Sequence, residues 1–299
     1  MKHEARIVCI GEILWDALPG GLYLGGAPLN VCYHLNRMGL KSNICSKIGD
    51  DRLGKEALRK IAHKEIPVEH IQQGGREETG FVKVAVSSDG EPSYDFIEPA
   101  AWDFIALTPS LRTFVQNSWG MVYGTLAQRN EQSRHTIRQL LDSDIRKILD
   151  LNLRPPYADP GNVEYSLRKA DIIKMNEDEL FQLKEWFALP GTDTAQLMEG
   201  IASQYKVPLI CVTRGARGAV LLQGGRCYDH PAYQAKAKDS VGAGDAFLAA
   251  MIQGIQHQRE GRELLKYANA AGSLVAQRDG AMPEYNIGEL QAIVDAGNH

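Results

Sequence analysis

The chain lacks the features that mark several classes of protein. Its five cysteines include no Cys-x-x-Cys pair, which favours small buried hydrophobic residues over disulfides or a metal centre. No apolar run approaches the ~20 residues of a membrane helix, and the N-terminus is unlike a signal peptide. Cationic residues are not in excess, since 33 Lys and Arg face 37 Asp and Glu, whereas nucleic-acid binding needs a concentrated basic face. These absences predict a cytoplasmic protein that binds neither nucleic acid nor membrane.

Two common catalytic arrangements are also missing. The eight histidines show no His-x-x-x-His spacing, and the sequence has no Gly-x-Ser-x-Gly elbow. These absences argue against a zinc hydrolase and against a serine hydrolase. Isolated histidines on helices are usually surface or partly buried residues, so none of them is assigned a role.

Apolar runs alternate with amphipathic segments along the 299 residues. The short β-branched runs have the length of strands, and the longer stretches between them have helical period. Strands that are apolar on both faces and alternate with helices predict a parallel sheet covered by helices on each side. The predicted strands are Arg6–Ile10, Asn43–Ile48, Met121–Tyr123, Lys147–Leu151, Asp171–Met175, Leu209–Thr213 and Ala219–Leu222, and the predicted helices are Leu29–Met38, Leu53–His63, Gln132–Leu141, Glu179–Phe187 and Leu197–Tyr205.

The segment Thr79–Glu98 departs from this alternation. It reads as two runs of alternating polar and apolar residues on either side of a turn at Ser88-Asp89-Gly90. Such a pattern predicts a β-hairpin outside the main sheet, and the glycine-rich stretch Gly20–Gly26 can add further strands to it. We interpret the chain as one α/β domain that carries a small β lid, and not as two independent domains. The alternative, which the pattern alone leaves open, is that both segments are ordinary surface excursions.

The segment Asp239-Ser240-Val241-Gly242-Ala243-Gly244-Asp245 precedes an apolar helix at Ala246–Ile252. The first N–H groups of a helix lack intrahelical partners and attract anions, and small residues let a phosphate approach them. A carboxylate beside such a site is explained if Asp245 is a general base that takes a proton from an acceptor hydroxyl during phosphoryl transfer. The alternative is a glycine-rich turn in which Asp245 caps the helix.

Two other nucleotide-binding motifs do not fit the sequence. The pair Gly242-x-Gly244 lacks the third glycine of a dinucleotide fingerprint. The stretch Gly49–Glu56 has P-loop spacing, but it ends in Glu where a P-loop has the hydroxyl that holds Mg²⁺. Its Asp50 and Asp51 would also repel phosphates, so this match is interpreted as accidental.

A second constellation, Gly25-Gly26-Ala27-Pro28-Leu29-Asn30, leads into a predicted helix. Paired glycines permit close approach of the backbone to a ligand, and Pro28 suits a first helical turn. Asn30 offers a donor and acceptors to a hydroxylated ligand. Asp16 closely follows the first strand, at the edge where open α/β sheets bind ligands. The alternative is an ordinary turn and helix cap.

These two segments resemble the two signatures of the PfkB carbohydrate kinase family, the ribokinase-like sugar kinases. The second signature is matched in full by Asp239–Asp245, whereas the first departs at Cys32, a position usually held by a small residue. The resemblance spans nearly the whole chain and implies an α/β fold, with a Rossmann-like three-layer α/β/α ribokinase-like core and a small β-sheet lid. It implies that residues 1–299 form a single kinase domain, with a lid formed by segments 16–26 and 79–102.

The resemblance implies ATP-dependent phosphorylation of a sugar hydroxyl. The lid would exclude water so that ATP is not hydrolysed, and a homodimer through its exposed β edges is expected. By position, Asp16, Gly25, Gly26 and Asn30 match residues that hold the sugar, Asp245 matches the base, and Gly242, Ala243 and Gly244 match the anion hole.

Further matches imply how ATP, Mg²⁺ and a monovalent cation are held. Asn176 and Glu179 fit an Asn-x-x-Glu pattern that helps to position Mg²⁺ and phosphates, with a helix cap as the alternative. The segment Thr213–Ala219 resembles a nucleotide-binding segment, and Asn269 resembles a helix position near adenine, with a solvated helix face as the alternative. The matching nucleotide residues are Asn176, Thr213, Gly215, Gly218 and Asn269, and the residues of a K⁺-binding loop are Asp239, Val241 and Gly280.

The sugar itself is less closely defined by the sequence. The runs Gly11–Asp16, Ala101-Trp102-Asp103 and Asp150–Pro156 look most like those of bacterial fructokinases, which favours fructose. The Asp-x-Asn-x-Arg element at Asp150 also occurs in 2-keto-3-deoxygluconate kinases, where its Arg faces a substrate carboxylate. Arg154 can make such a contact, or it can hydrogen-bond a neutral sugar or a phosphate. A ribokinase-type kinase is a further alternative, as is a sensor that binds sugar or nucleotide without catalysis.

Overall fold

Two β-sheets of different size organise the chain. The computed structural model describes residues 4–18, 20–86, 92–234 and 238–297. Within these residues the strands are β1 (Glu4–Ile10), β2 (Leu14–Leu18), β3 (Gly21–Gly25), β4 (Ser42–Ile48), β5 (Ile71–Gln73), β6 (Gly80–Val86), β7 (Pro92–Phe96), β8 (Ser118–Gly124), β9 (Arg146–Asp150), β10 (Ile172–Asn176), β11 (Leu209–Thr213), β12 (Ala219–Gln223) and β13 (Arg226–His230). The α-helices are α1 (Ala27–Arg37), α2 (Arg52–His63), α3 (Pro109–Gln116), α4 (Glu131–Leu141), α5 (Pro160–Lys169), α6 (Glu177–Phe187), α7 (Thr194–Tyr205), α8 (Ala243–Gln256), α9 (Gly261–Ala276) and α10 (Ile287–Ala296).

The larger sheet has nine strands in the order β13-β12-β11-β10-β9-β8-β1-β4-β5. Neighbours from β11 to β5 are parallel, and β12 and β13 are antiparallel additions at one edge. All the strands predicted for a parallel sheet lie in it, but Ala219–Leu222, within β12, is antiparallel to β11 and corrects that part of the prediction. Parallel sheets are buried on both faces because their crossover helices cover them.

Two hydrophobic clusters fill the space on the two faces of this sheet. One cluster joins the sheet to α1, α2, α8 and α9, through residues such as Leu29 and Phe247. The other joins it to α4, α5, α6 and α7, through residues such as Leu140 and Leu183. The core is therefore a three-layer α/β/α arrangement, as predicted. No helix in the described ranges is long and apolar enough to cross a membrane.

The smaller sheet has four strands in the order β3-β2-β6-β7. Strands β6 and β7 are an antiparallel pair within the predicted hairpin, whose turn at Ser88-Asp89-Gly90 lies outside the described residues. Strands β2 and β3 are paired antiparallel, and β2 also pairs with β6 in parallel. Because β2 follows β1 and β3 leads directly into α1, this sheet is joined to the large sheet at the carboxyl end of β1.

The P-loop-like stretch at Gly49–Glu56 is a helix start. Asp51 is the N-cap of α2, and its carboxylate accepts hydrogen bonds from Gly54 N at 2.7 Å and from Thr79 N at 2.6 Å. An N-cap carboxylate satisfies a donor that the helix itself leaves unpaired. The aspartate that argued against phosphate binding therefore has a structural role.

Several elements escaped the sequence analysis. Strand β13 is mostly exposed at the sheet edge, so its residues carry no apolar alternation, and β5 has only three residues. Helix α5 begins with Pro160 and Gly161, which mask a helical pattern. The cysteines behave as expected at Cys9, Cys45 and Cys211, which are buried and free.

Candidate active site

The carboxyl ends of the parallel strands meet the first turns of α1 and α8. Asn30 on α1 donates a hydrogen bond from Nδ2 to Oδ2 of Asp245 on α8, at 2.8 Å. The two residues are 215 positions apart, so this contact joins the two predicted constellations. Asn30 Oδ1 is buried and has no hydrogen-bond partner among the described residues. A buried acceptor of this kind is normally satisfied by a ligand or water, which fits a hydroxylated ligand beside Asp245.

The paired glycines before α1 are required by close contacts. Gly26 has a φ of 114°, and a Cβ there would lie 2.3 Å from the carbonyl oxygen of Glu12. A Cβ on Gly25 would lie 2.7 Å from Asp16 Oδ2. These glycines therefore let the backbone pass between the carbonyl group of Glu12 and the carboxylate of Asp16.

Three carboxylates with raised pKa values surround this point. Burial raises the pKa of Glu12 to about 7, that of Asp16 to about 6 and that of Asp245 to about 6. Burial disfavours the charged form of a carboxylic acid. Arg154 lies near enough to lower the pKa of all three groups, so its guanidinium partly offsets the burial. Such a cluster is typical of a functional site.

The first turn of α8 has the features of an anion site. Its N-cap is Gly242, with a φ of 76°, and no side chain caps the turn. The ammonium of Lys174, on β10, lies beside this turn, since a Cβ on Gly244 would be 3.2 Å from Lys174 Nζ. Uncapped N–H groups and the helix dipole both favour a bound anion. Ala243, between the two glycines, begins the helix.

A buried ion pair lies beneath this turn. Lys174 Nζ is 2.9 Å from Asp150 Oδ1, and both side chains are almost completely buried. Asp150 Oδ2 has no hydrogen-bond partner among the described residues. The negative charge of Asp150 also raises the pKa of Asp245. Asp150 is the first residue of the Asp-x-Asn-x-Arg element, and no role was predicted for it from the sequence.

Asn176 and Glu179 form a reciprocal helix cap. Asn176 is the N-cap of α6, its Oδ1 accepts from Glu179 N at 2.8 Å, and Glu179 Oε2 accepts from Asn176 N at 2.8 Å. The other oxygen of Glu179 accepts from Leu153 N at 2.8 Å. The capping alternative is therefore correct as a description of these side chains. The second contact also fixes the loop that carries Arg154.

The predicted nucleotide residues lie around the turn after β11 and the end of β13. Thr213 ends β11, and Gly215 and Gly218 have positive φ values in the turn that follows. A Cβ on Gly218 would lie 2.1 Å from the carbonyl oxygen of His230. Asn269 is buried and donates from Nδ2 to the same carbonyl oxygen at 3.2 Å. The alternative of a solvated helix face for Asn269 is therefore wrong.

Asp239 joins the residues of the predicted cation loop. Its Oδ1 accepts from Val241 N at 2.9 Å, and its Oδ2 accepts from Gly280 N at 3.1 Å. A cleft of about 790 Å³ extends from this loop to Asp16 and Tyr23 in the small sheet. The predicted cation loop and Asp16 therefore share one cleft.

Lys174 and the buried state of Glu12 were not predicted from the sequence. A signal was present for each, because a lysine inside the apolar strand β10 and a glutamate two residues after β1 are unusual in buried positions. The expectation for histidines on helices was also too general. His34 is completely buried within α1, so the expectation of a surface or partly buried residue is wrong there.

The site combines a buried carboxylate and an uncapped helix N-terminus in one helical turn. The three-layer core and the small sheet give the chain the fold of the ribokinase-like sugar kinases. The chain belongs to the pfkB family of carbohydrate kinases, whose family model matches residues 18–286. It is an ATP-dependent sugar kinase.

A relative in sequence supports the same conclusion, and solved structures match the fold. A fructokinase of Escherichia coli is 27% identical over 93% of this chain and 95% of its own length. The fold matches a fructokinase of Vibrio cholerae, in a structure that contains fructose, ADP and a potassium ion, with a TM-score of 0.85, 22% identity and coverage of 98% of this chain and 99% of that one. It also matches a 2-dehydro-3-deoxygluconokinase of Thermotoga maritima, with a TM-score of 0.84, 17% identity and coverage of 98% and 100%.

Proposed function

We propose that the protein phosphorylates fructose, with Asp245 as the general base and the turn Gly242-Ala243-Gly244 as the anion hole. The hydrogen bond between Asn30 and Asp245 carries this proposal. It holds the proposed base against a residue with a free buried acceptor, so that a sugar hydroxyl can meet both side chains.

The proposed reaction consists of one proton transfer and one phosphoryl transfer. Asp245 Oδ accepts the proton of the sugar hydroxyl, whose oxygen forms a bond to the γ-phosphorus of ATP. The bond between that phosphorus and the bridging oxygen breaks, and ADP takes its electron pair. The N–H groups of the α8 turn stabilise the charge on the transferred group.

ATP, Mg²⁺ and K⁺ are the groups that this site would take. No cluster of three or more His, Cys, Asp or Glu in the described part of the chain could hold a metal ion, which suits a Mg²⁺ held mainly by phosphates and water. When bound, Mg²⁺ supplies charge neutralisation on those phosphates. Asn176 and Glu179 fix the nearby backbone, and Asp150 Oδ2 is available to a water molecule. Thr213, Gly215, Gly218 and Asn269 would line the nucleotide site, and the loop that Asp239 holds would take K⁺.

The charge balance favours a neutral sugar over a sugar acid. Arg154 already offsets the three carboxylates Glu12, Asp16 and Asp245, and the second nearby cation, Lys174, is paired with Asp150. A substrate carboxylate would add a further negative charge, and like charges at close range are strongly unfavourable. This argument favours fructose over 2-keto-3-deoxygluconate. Arg154 is then expected to hydrogen-bond sugar hydroxyls.

A substrate panel tests this assignment. We expect kcat/KM for fructose to exceed that for 2-keto-3-deoxygluconate by at least about tenfold, the ratio that about 1.4 kcal/mol produces. ADP release is measured with both sugars and with ribose and tagatose, each with and without K⁺. A preference for the sugar acid would overturn the fructose proposal and leave the kinase activity standing.

The activity is expected to fall in acid. Asp245 can accept a proton only as a carboxylate, and its raised pKa of about 6 means that the carboxylate is lost as the pH falls through that value. Because Glu12 and Asp16 titrate nearby, the acid limb of kcat/KM belongs to the group as a whole. We expect a fall of about tenfold per pH unit below about pH 6. In Asn30→Ala the limb should move to higher pH, because the Asn30 hydrogen bond lowers the pKa of Asp245. A profile unchanged by this variant would contradict the geometry.

We further propose that residues 1–299 act as one kinase domain whose lid is formed by segments 16–26 and 79–102, and that two copies associate through the lid. Leu22 and Tyr23 are 45% and 46% exposed on β3, which is the edge strand of the small sheet and can pair with another chain. Light scattering should report a dimer for the native chain and a monomer for the double substitution of Leu22 and Tyr23 by Asp. A native monomer at micromolar concentration would be evidence against the dimer.

A further inference from the structure

The segment 281–285, between α9 and α10, is held by side chains at every carbonyl group. Each of the five consecutive carbonyl oxygens accepts a side-chain hydrogen bond, and three of the donors come from α1. The contacts are His34 to Ala281, Lys64 to Met282, Tyr33 to Pro283, Arg278 to Glu284 and Arg37 to Tyr285. A segment without regular structure is thereby fixed to the helix that carries Asn30.

His34 makes two contacts with this segment. Its Nε2 is 2.9 Å from the carbonyl oxygen of Ala281, and its Nδ1 is 2.9 Å from the hydroxyl of Tyr285. Because a carbonyl oxygen only accepts, Nε2 carries the ring proton and Nδ1 accepts from the tyrosine hydroxyl. The neutral ring therefore satisfies both partners. Burial also lowers the pKa of His34 to about 4, which is consistent with a neutral ring.

Ala281 packs directly against the N-cap of α8. A Cβ on Gly242 would lie 2.6 Å from both the Cα and the carbonyl oxygen of Ala281. The carbonyl oxygen of Ala281, which accepts a hydrogen bond from His34, is therefore one of the atoms that pack against Gly242. Any shift of this carbonyl group would change the space available to the turn.

His34 and Asn30 are four residues apart on α1, so their side chains project from the same face of the helix. Asn30 contacts the proposed base, and His34 contacts the segment that supports the turn preceding it. One face of one helix thus contacts Asp245 in the first turn of α8 and the segment that packs against Gly242. Close-packed contacts of this kind transmit small displacements because interiors have few voids.

We propose that His34 is a positioning residue for phosphoryl transfer, which acts by holding the Ala281 carbonyl group against Gly242 and so fixes the first turn of α8. The inference rests on the proposed role of Gly242–Gly244 as the anion hole. His34 does not touch substrate or the transferred group. Its effect should therefore appear in kcat, with little change in KM for the sugar.

The decisive comparison is between His34→Leu and His34→Gln. Leucine leaves the Ala281 carbonyl oxygen and the Tyr285 hydroxyl without the ring, and we expect kcat to fall by about 10- to 100-fold, the range for a small misplacement of reacting groups. Glutamine can donate to Ala281 and accept from Tyr285, so most of kcat should return. Cys32→Ala is the matched control, since Cys32 is buried in the same helix and contacts Ser42. It should lower Tm while leaving kcat within about twofold.

The outcomes separate this inference from the proposed function. If Gly242→Ala retains the native kcat, the anion hole is wrongly assigned and the basis of the inference is lost. If Gly242→Ala loses kcat while His34→Leu lowers only Tm, the role of His34 is overturned. Should His34→Leu fail to fold, Tyr285→Phe decides the matter, since it removes the hydroxyl that fixes the ring. A several-fold fall in kcat with unchanged sugar KM supports the proposal, and native kinetics reject it.

Discussion

Replacing Asp245 with Asn is expected to lower kcat by about three orders of magnitude, within the ~10²–10⁴ range of a general base. The substitution keeps the size of the side chain, and the oxygen of the introduced amide can still accept the hydrogen bond that Asn30 donates to Asp245 at 2.8 Å. It removes the ability to take the proton of the sugar hydroxyl. The loss should therefore appear in kcat, measured by ADP release, while calorimetry shows sugar and ATP binding within a few-fold of the native values.

The control for this experiment is Asp16→Asn. Asp16 lies on β2, beside Gly25, and belongs to the proposed sugar site. Its replacement should raise KM for the sugar more than it lowers kcat, since it removes a binding contact and leaves the base in place. Turnover of Asp245→Asn within tenfold of the native enzyme would show that another group accepts the proton.

The large sheet could be predicted because its strands are buried on both faces. A strand such as Leu209–Thr213 must be apolar throughout. The turns and helices that connect such strands then alternate with them along the chain. The edge strand β13 is mostly exposed to solvent, so it lacks the continuous apolar run that identifies a buried strand in the sequence. Burial determined which strands the sequence could reveal.

The candidate site could be predicted where it depends on backbone shape. Gly26 and Gly242 are required by positive φ values and by contacts that exclude a Cβ, and such requirements leave glycines in the sequence. The contact between Asn30 and Asp245 depends on how α1 packs against α8, which no local pattern records. The same holds for His34, whose two partners are about 250 residues away. Local constraints were readable from the sequence, and tertiary contacts between side chains were not.

The two glycines of the anion hole should respond differently to substitution by alanine. Gly242 has a φ of 76°, and its added Cβ would lie 2.6 Å from the backbone of Ala281. Both the left-handed conformation and the contact make Gly242→Ala unfavourable, by about 1–3 kcal/mol for the backbone strain. Because the turn must then move, we expect kcat to fall by about 10²- to 10³-fold, as on loss of an anion-hole donor.

Gly244 is the second residue of α8, and its added Cβ would be 3.2 Å from Lys174 Nζ, which must shift by only a few tenths of an ångström. Alanine is favoured over glycine within a helix by up to about 1 kcal/mol, so Gly244→Ala should keep or raise Tm. Its kcat should fall less than that of Gly242→Ala, because the turn itself stays in place. Thermal unfolding and ADP release measured on both variants test this order. Equal kcat and equal Tm for the two would mean that the position of Gly242 against Ala281 does not shape the anion hole.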